Sequence, residues 1–311
     1  MLFQALDIKN NCFGVFVKDK IYYSQTKVRH DLTKTWSYCG FLKDVEDLQC
    51  AKIYCGGKDL QEVCPENYKE EFNQINNRFK AFFRSMAEAG LSLNDHCYFD
   101  FIPEEYLKEY CVVKNKISLY VFDRFPKPAN YQHLLDLEKV LHEISHNKLR
   151  IEKSALSEKL GNYAARQFVK KINKIEPYIK YDQYKSITGR LVTKPKSFPI
   201  LTMDSDYRAI LKPKNDWFVE LDYNAAELRV LMGLQGEEQP QGDLHAWNAV
   251  NVLKMDDRNA AKKKIFAWLY GNKKNNKIEQ FYKRELIKQK YWDGNYVNTE
   301  FGRQIESDDH H

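Results

Sequence analysis

Every fourth residue of the segment DRNAAKKKIFAWLYG (257–271), from Arg258 through Lys262 and Phe266 to Tyr270, carries a charge or an aromatic ring. On an α-helix a four-residue step drifts by only about 40°, so these four side chains form one stripe. The rest of the segment is strongly helix-forming, and Gly271 is a typical C-terminal stop. Two cations followed by two aromatics on one face suit a nucleoside triphosphate. Arg258 and Lys262 would take phosphates, while Phe266 and Tyr270 would flank sugar and base. His245, in GDLHAW, supplies another donor shortly before this helix. A packed amphipathic helix is the alternative reading of the stripe.

Upstream, WFVELDYNAAELRVLMGL (217–234) reads as an apolar strand, Trp217 to Leu221, running into a helix. Asp222 at the end of a buried strand is where a carboxylate can hold a divalent metal in an aqueous cleft, and hard oxygen ligands suit Mg²⁺. Glu227, five residues on, would face the same cleft. A strand-to-helix cap plus a surface Glu is the plain alternative. In SITGRL (186–191), Arg190 follows a glycine turn from which it could reach a phosphate backbone or groove.

Charge points the same way. Residues 254–290 hold 12 Lys and Arg against 4 Asp and Glu, although the whole chain carries only +6. A basic block on a nearly neutral body favours a polyanionic partner, with a solvated lysine-rich helix as the alternative. The chain has no run of about 18 apolar residues, and MLFQALDIKNN lacks the parts of a secretory leader. A cytoplasmic protein with no membrane partner is expected. The seven cysteines lie between Cys12 and Cys111 without a C-x-x-C pair, which predicts reduced, packed thiols.

FQALDIKNNCFGVFVKDKIYY opens as consecutive strands broken by KNN and KDK turns, and NYKEEFNQINNRFKAFFRSMAEAG (67–90) as helix. FPKPAN (125–130) reads as a linker, and residues 131–174 as helical. Within the latter, His142-Glu143-Ile144-Ser145-His146 spells the H-E-x-x-H of a zinc peptidase helix. At 100° per residue, Leu134, Leu137, Val140, Leu141 and Ile144 make the apolar face, and both histidines fall on the opposite, solvated side. The zinc spelling is read as coincidence.

The order T-G-R-L, D-Y-x-x-A-E-L-R, D-L-H and R-x-x-x-K-x-x-x-F-x-x-x-Y-G, running from Thr188 to Gly271 and extending weakly to TEFGR (299–303), resembles the family A DNA polymerases, particularly phage members. The resemblance implies an α+β right-hand fold, present in part. Its segments would be an N-terminal α/β region (1–124), thumb helices (125–178), the first part of an antiparallel palm sheet (179–234), helical fingers (235–290) and a return toward the palm (291–311). It implies that Asp222 is a catalytic, metal-binding carboxylate, with the Tyr223 carbonyl beside it, and that two Mg²⁺ ions serve the assembled site. Glu227 would be the gate against a ribose 2′-hydroxyl, supported by Tyr270. His245, Arg258 and Lys262 would bind the dNTP triphosphate and Phe266 its sugar, while Arg190 and Arg208 would touch primer-template DNA.

Departures accompany the match. Ala225 stands where the family commonly has Gln, and Ala267 where it has Gly. Residues 1–124 could be a degenerate RNase H-like exonuclease, but LDIKN offers Asp7 and Lys9 rather than a D-x-E pair, so no proofreading is expected. The second palm carboxylate, carried in this family by an H-D-E turn, has no counterpart in the sequence. NDH (94–96) has the wrong residues, and Asp308 and Asp309 read as a frayed end. The expectation is therefore the amino-terminal subunit or fragment of a split DNA-directed DNA polymerase, inactive until a second polypeptide completes the palm. In a phage it would work in the cytoplasm of the infected bacterial host. The alternative is a non-catalytic, primer-template-binding polymerase relic.

Overall fold

The computed structural model describes residues 1–9, 12–23, 31–40, 43–91, 96–271, 273–300 and 302–306. Helices and short strands are mixed along the chain, with helices predominating. The chain divides into two units, Met1–Lys214 and Asn215–His311. That boundary falls inside the 179–234 stretch.

In the first unit β1 (Gln4–Lys9), β2 (Cys12–Val17) and β3 (Lys20–Tyr22) form an antiparallel meander. Lys18 and Asp19 join β2 to β3 with φ of 48° and 61°, the paired positive values of a two-residue hairpin turn. The KDK turn is thus where the sequence places it; the KNN turn lies partly outside the described residues. A parallel bridge from Leu2 to Lys34 brings in β4 (Lys34–Thr35), and β5 (Gln49–Cys50) runs parallel to β4. Side-chain alternation then sorts the core into two layers. Leu6 and Phe16 enter one cluster, while Phe3, Ala5 and Val15 enter another.

The short helices α1 (Ala51–Tyr54) and α2 (Leu60–Val63) follow β5, and Asp59 and Glu62 form a reciprocal capping box on α2. The long helices α3 (Glu66–Glu88) and α4 (Glu104–Arg124) cover the Leu6–Phe16 side. Tyr110 of α4 lies 6.4 Å from the Phe72 ring and 4.6 Å from that of Phe79. Each such buried side chain contributes about 1.5–3 kcal/mol. The exposed Arg78–Glu109 pair, at 3.1 Å, belongs to a class worth about 0–1 kcal/mol. Packing therefore holds this layer.

The other side is covered by α5 (Tyr131–His146), which starts directly after the expected FPKPAN linker. The Tyr131 hydroxyl accepts the Cys50 N–H at 2.7 Å and donates to Leu48 O at 3.2 Å, tying the helix to the strand edge. Here the structure corrects the sequence reading. Tyr131, Leu135, Leu141 and His142 are buried, whereas Val140 is 51% exposed. His142 sits inside, edge-on to Tyr38 with centroids 5.3 Å apart, and a Cβ on Gly40 would come within 2.6 Å of its Nε2. His146 Nδ1 lies 2.7 Å from His142 O, closing the turn on itself. Among the described residues no three His, Cys, Asp or Glu side chains gather as a metal site.

Beyond α5 the unit continues through β6 (Arg150–Ile151), α6 (Tyr163–Ile172), the hairpin β7 (Tyr181–Asp182) with β8 (Val192–Thr193), and β9 (Leu211–Lys212), which returns to pair with β6. Leu156, Ile172, Phe198, Met203 and Ile210 form its core. Cys39, Cys50, Cys55, Cys64 and Cys111 are buried thiols outside any disulfide, as expected, but Cys97 is disulfide-bonded, which the sequence reading did not anticipate. Among the described residues no helix is long and apolar enough to cross a membrane.

The second unit is built from α7 (Ala226–Leu234), α8 (Leu244–Asn248) continuing into a π-turn at Ala249–Leu253, α9 (Arg258–Leu269), α10 (Asn276–Tyr282) and α11 (Arg284–Tyr291), followed by the hairpin β10 (Tyr296–Asn298) and β11 (Gln304–Glu306). Leu228, Met232, Leu244, Ile265, Trp268 and Tyr282 are among its core residues. Trp217–Leu221, expected as a buried strand, forms none: Trp217 is 79% and Leu221 89% exposed. Strand propensity is a fit to neighbouring strands, and none of the described strands pairs with this segment.

His142 supplies a pH test of the fold. Burial first, then the His146 ring, pushes its pKa from the ordinary 6.5 down to about 4. The unfolded chain then binds this proton more readily than the folded one. The stabilisation is complete above the unfolded value and is lost as pH falls through the window from 6.5 to about 4. Urea unfolding across that window should show a loss on the order of 3 kcal/mol that His142→Gln removes. Parallel pH profiles for the two proteins would contradict the buried, neutral imidazole.

Candidate functional site

The site in the second unit begins with the start of α9. Asp257 caps it by accepting the N–H groups of Asn259 and Ala260 at 2.8 and 3.0 Å. Ala261, Ile265 and Trp268 then face inward, fully buried. That registry leaves Arg258, Lys262, Phe266 and Tyr270 as one stripe along the flank of the buried face, as their spacing predicts. The Lys262 ammonium lies 5.4 Å from the Phe266 ring centroid, and the Phe266 and Tyr270 rings are 5.9 Å apart. Gly271 ends the element where a Cβ would come within 2.6 Å of Ala267 O.

His245 comes to this stripe from α8, its ring at 90° to that of Phe266 with centroids 5.5 Å apart. It is 4% exposed, and its Nδ1 has no hydrogen-bond partner. Burial first, then the Lys262 charge, lowers its pKa, so the imidazole is neutral at neutral pH. A neutral ring beside two cations retains an N–H to donate without adding a third repelling charge.

Glu227 stands in the first turn of α7 and accepts a hydrogen bond from the Tyr270 hydroxyl at 2.9 Å. Forty-three residues separate the two in sequence. Ala225, the residue preceding α7, has φ 54° and ψ 52°, a left-handed conformation that a side chain seldom adopts.

Three further residues have roles that spacing does not reveal. Asp243 caps α8 by accepting the Ala246 N–H at 2.9 Å and also holds Arg258, 3.0 Å from Nε and 2.5 Å from the nearer terminal nitrogen. The Arg258 hydrogen bond first, then the Ala246 N–H, draws the Asp243 carboxyl down to about 2. Asn224 accepts the Leu244 N–H at 2.8 Å, joining the approach to α7 to the start of α8. Arg229 donates to the carbonyls of Asn224, Pro240 and Gly242 at 2.8, 3.1 and 2.9 Å and fixes the loop between those helices. Asp243 and Arg229 stand within the motif letters D-L-H and E-L-R, but their partners are set by tertiary structure.

Asp222 and Tyr223 immediately precede this framework, both exposed and outside any strand. As donors for Mg²⁺ they offer one carboxylate and one carbonyl, both hard oxygens, which fits the chemistry of one end of a metal site. Arg190 and Arg208 belong to the first unit. Arg190 follows Gly189, at φ 80°, in the loop between β7 and β8. Arg208 lies in a 3₁₀ turn, Ser205–Ile210, capped by Asp204. The structure thus draws Glu227, His245, Arg258, Lys262, Phe266 and Tyr270 into one constellation. Asp308 and Asp309 lie outside the described residues.

A double-mutant cycle tests the link across α7 and α9. Tyr270→Phe and Glu227→Gln, singly and together, should yield a coupling of about 0.5–1 kcal/mol in urea unfolding. Additive losses would mean that the bond does not form in solution.

Compared with known proteins, the chain matches no family model and no curated protein.

Proposed function

We propose that this chain is the amino-terminal part, as subunit or fragment, of a split DNA-directed DNA polymerase resembling family A. The observation that carries the reading is the Tyr270–Glu227 hydrogen bond at 2.9 Å beside the His245–Phe266–Lys262 cluster. Residues scattered between positions 227 and 270 meet in the grouping that a dNTP cradle needs.

In this reading Arg258 and Lys262 bind the triphosphate, and Arg258 exchanges its Asp243 partner for phosphate oxygens. Neutral His245 donates a hydrogen bond to the same group, and Phe266 packs against the sugar. Glu227, held by Tyr270, fills the space that a ribose 2′-hydroxyl would occupy. Asp222, with the Tyr223 carbonyl, would hold Mg²⁺, which when bound supplies charge neutralisation at the transferring phosphate. One carboxylate is too few for two ions, so the second comes from a partner polypeptide. The primer 3′-oxygen forms its bond to the α-phosphorus as pyrophosphate leaves. Arg190 and Arg208 contact primer-template DNA. The antiparallel meander β1–β2–β3, bridged from Leu2 to Lys34 beside the parallel pair β4–β5, supports reading residues 1–124 as a degenerate exonuclease-like region.

The partner is identified by isolating the native complex. A co-purifying chain with an H-D-E turn, and template-directed primer extension by that complex, are the expected results. Asp222→Ala should then cut extension by about a thousandfold or more. Glu227→Ala should raise rNTP incorporation, and an unchanged dNTP to rNTP ratio would remove the gate assignment. A complex that binds primer-template but extends nothing would leave only the binding relic.

A further inference from the structure

Asp243 divides its two oxygens between two tasks. Oδ1 accepts the Ala246 N–H at 2.9 Å and so caps α8. Oδ2 accepts both Nε and Nη2 of Arg258, at 3.0 and 2.5 Å. That pair of donors is the edge with which an arginine grips a phosphate. A carboxylate oxygen held there stands where an oxygen of a bound anion would stand.

The two tasks differ in how they can be interrupted. The cap joins residues three apart, and the first turn of α8 fixes its geometry. The Arg258 bond spans 15 positions and two helices, with 43% of the Arg258 side chain and 35% of that of Asp243 open to solvent. An anion can therefore reach Arg258 while the cap stays closed. The other cation and donor of the stripe meet at Phe266, the Lys262 ammonium 5.4 Å from the ring centroid and the His245 ring 5.5 Å from it.

Displacing Asp243 is a competition between a tethered oxygen and a free one. The tether holds the carboxylate at a high effective concentration, so an anion that only replaces its oxygen gains little. A chain of phosphates that also reaches Lys262 and His245 makes contacts that Asp243 cannot make.

We propose that Asp243 is a resident competitor of the triphosphate. It holds Arg258 until substrate arrives, and its displacement sets the affinity of the cradle and its preference for a polyphosphate over a single phosphate. This inference rests on the dNTP-cradle reading. Asp243 keeps its cap throughout, so α8 and His245 stay in place while Arg258 changes partner. It is a positioning residue, acting through Arg258 without touching substrate.

Asparagine can perform only one of the two tasks. Its single carbonyl oxygen keeps the cap, at which Asn equals Asp, and leaves Arg258 without a carboxylate. Calorimetric titration of the full chain with inorganic tripolyphosphate, then with a dNTP, should show Asp243→Asn binding about fivefold more tightly than wild type. A damaged framework would weaken binding, so the sign separates competition from a structural role. Asp257→Asn is the control for charge: it lies beside Arg258 and keeps its cap on Asn259 and Ala260, and it should change affinity by less than about twofold. If Asp243→Asn does not fold, the wild type still decides. Its Arg258 Nε–H resonance, assigned by its loss in Arg258→Lys, should shift with tripolyphosphate while the Ala246 amide stays protected from hydrogen exchange. An unmoved Arg258 resonance at saturation, loss of the Ala246 protection, or an equal gain in Asp257→Asn would overturn the proposal. So would unchanged or weaker binding by Asp243→Asn, although a wild type that binds dNTP would then leave the cradle reading standing. Binding of neither ligand by either protein would overturn both.

Discussion

The second unit depends on how one carboxylate divides its bonds. Asp243 satisfies an amide at the start of α8 and, through its other oxygen, anchors Arg258 at the start of α9. An N-cap bond is held in fixed local geometry, whereas an exposed ion pair is screened by solvent. The cap is therefore the firmer half, and the Arg258 half is the one that can yield to a competing anion. His245 follows Asp243 by two residues, so the same cap that frames α8 also sets where its imidazole meets Phe266. Arg229 and Asn224 extend the arrangement to α7 without adding to the exposed stripe.

What could be read from the sequence was what repeats along it. The stripe of α9, the KDK turn, the long helix beginning at Glu66 and the break at FPKPAN follow from periodicity and backbone preference, and the structure has each of them. Bringing Glu227 to Tyr270 was legible only through the motif order, since no local rule joins residues 43 positions apart. Asp243 and Arg229 had letters but no roles, because their partners are backbone groups of loops whose path the sequence leaves open.

The misreading of α5 has a different cause. Counting apolar residues placed Val140 inside and His142 outside, yet Tyr131, Leu135, Glu138 and His142 follow the helical period on one face. Glu138 and His142 are strongly polar, so hydropathy points away from the face that is buried. The energetic consequence is opposite at the two positions. His142 stays neutral by giving up its proton, while burial raises the pKa of Glu138 and favours keeping its proton.

Trp217–Tyr223 poses the converse case, apolar side chains in the open. Covering Trp217, Phe218, Val219 and Leu221 would contribute about 1.5–3 kcal/mol each, about 6–12 kcal/mol together. Bringing two molecules together costs about 4–15 kcal/mol. Those two ranges nearly cancel, so apolar burial along this one segment cannot by itself hold a partner. The backbone of the segment supplies the remainder if it is paired, because its amides would then exchange water for a ladder, and pairing would also fix the direction of alternate side chains. Asp222 and Glu220 would then point to one face, and Val219, Leu221 and Tyr223 to the other. A partner strand would thus do more than bind: it would give Asp222 the fixed orientation that an exposed, unpaired segment lacks.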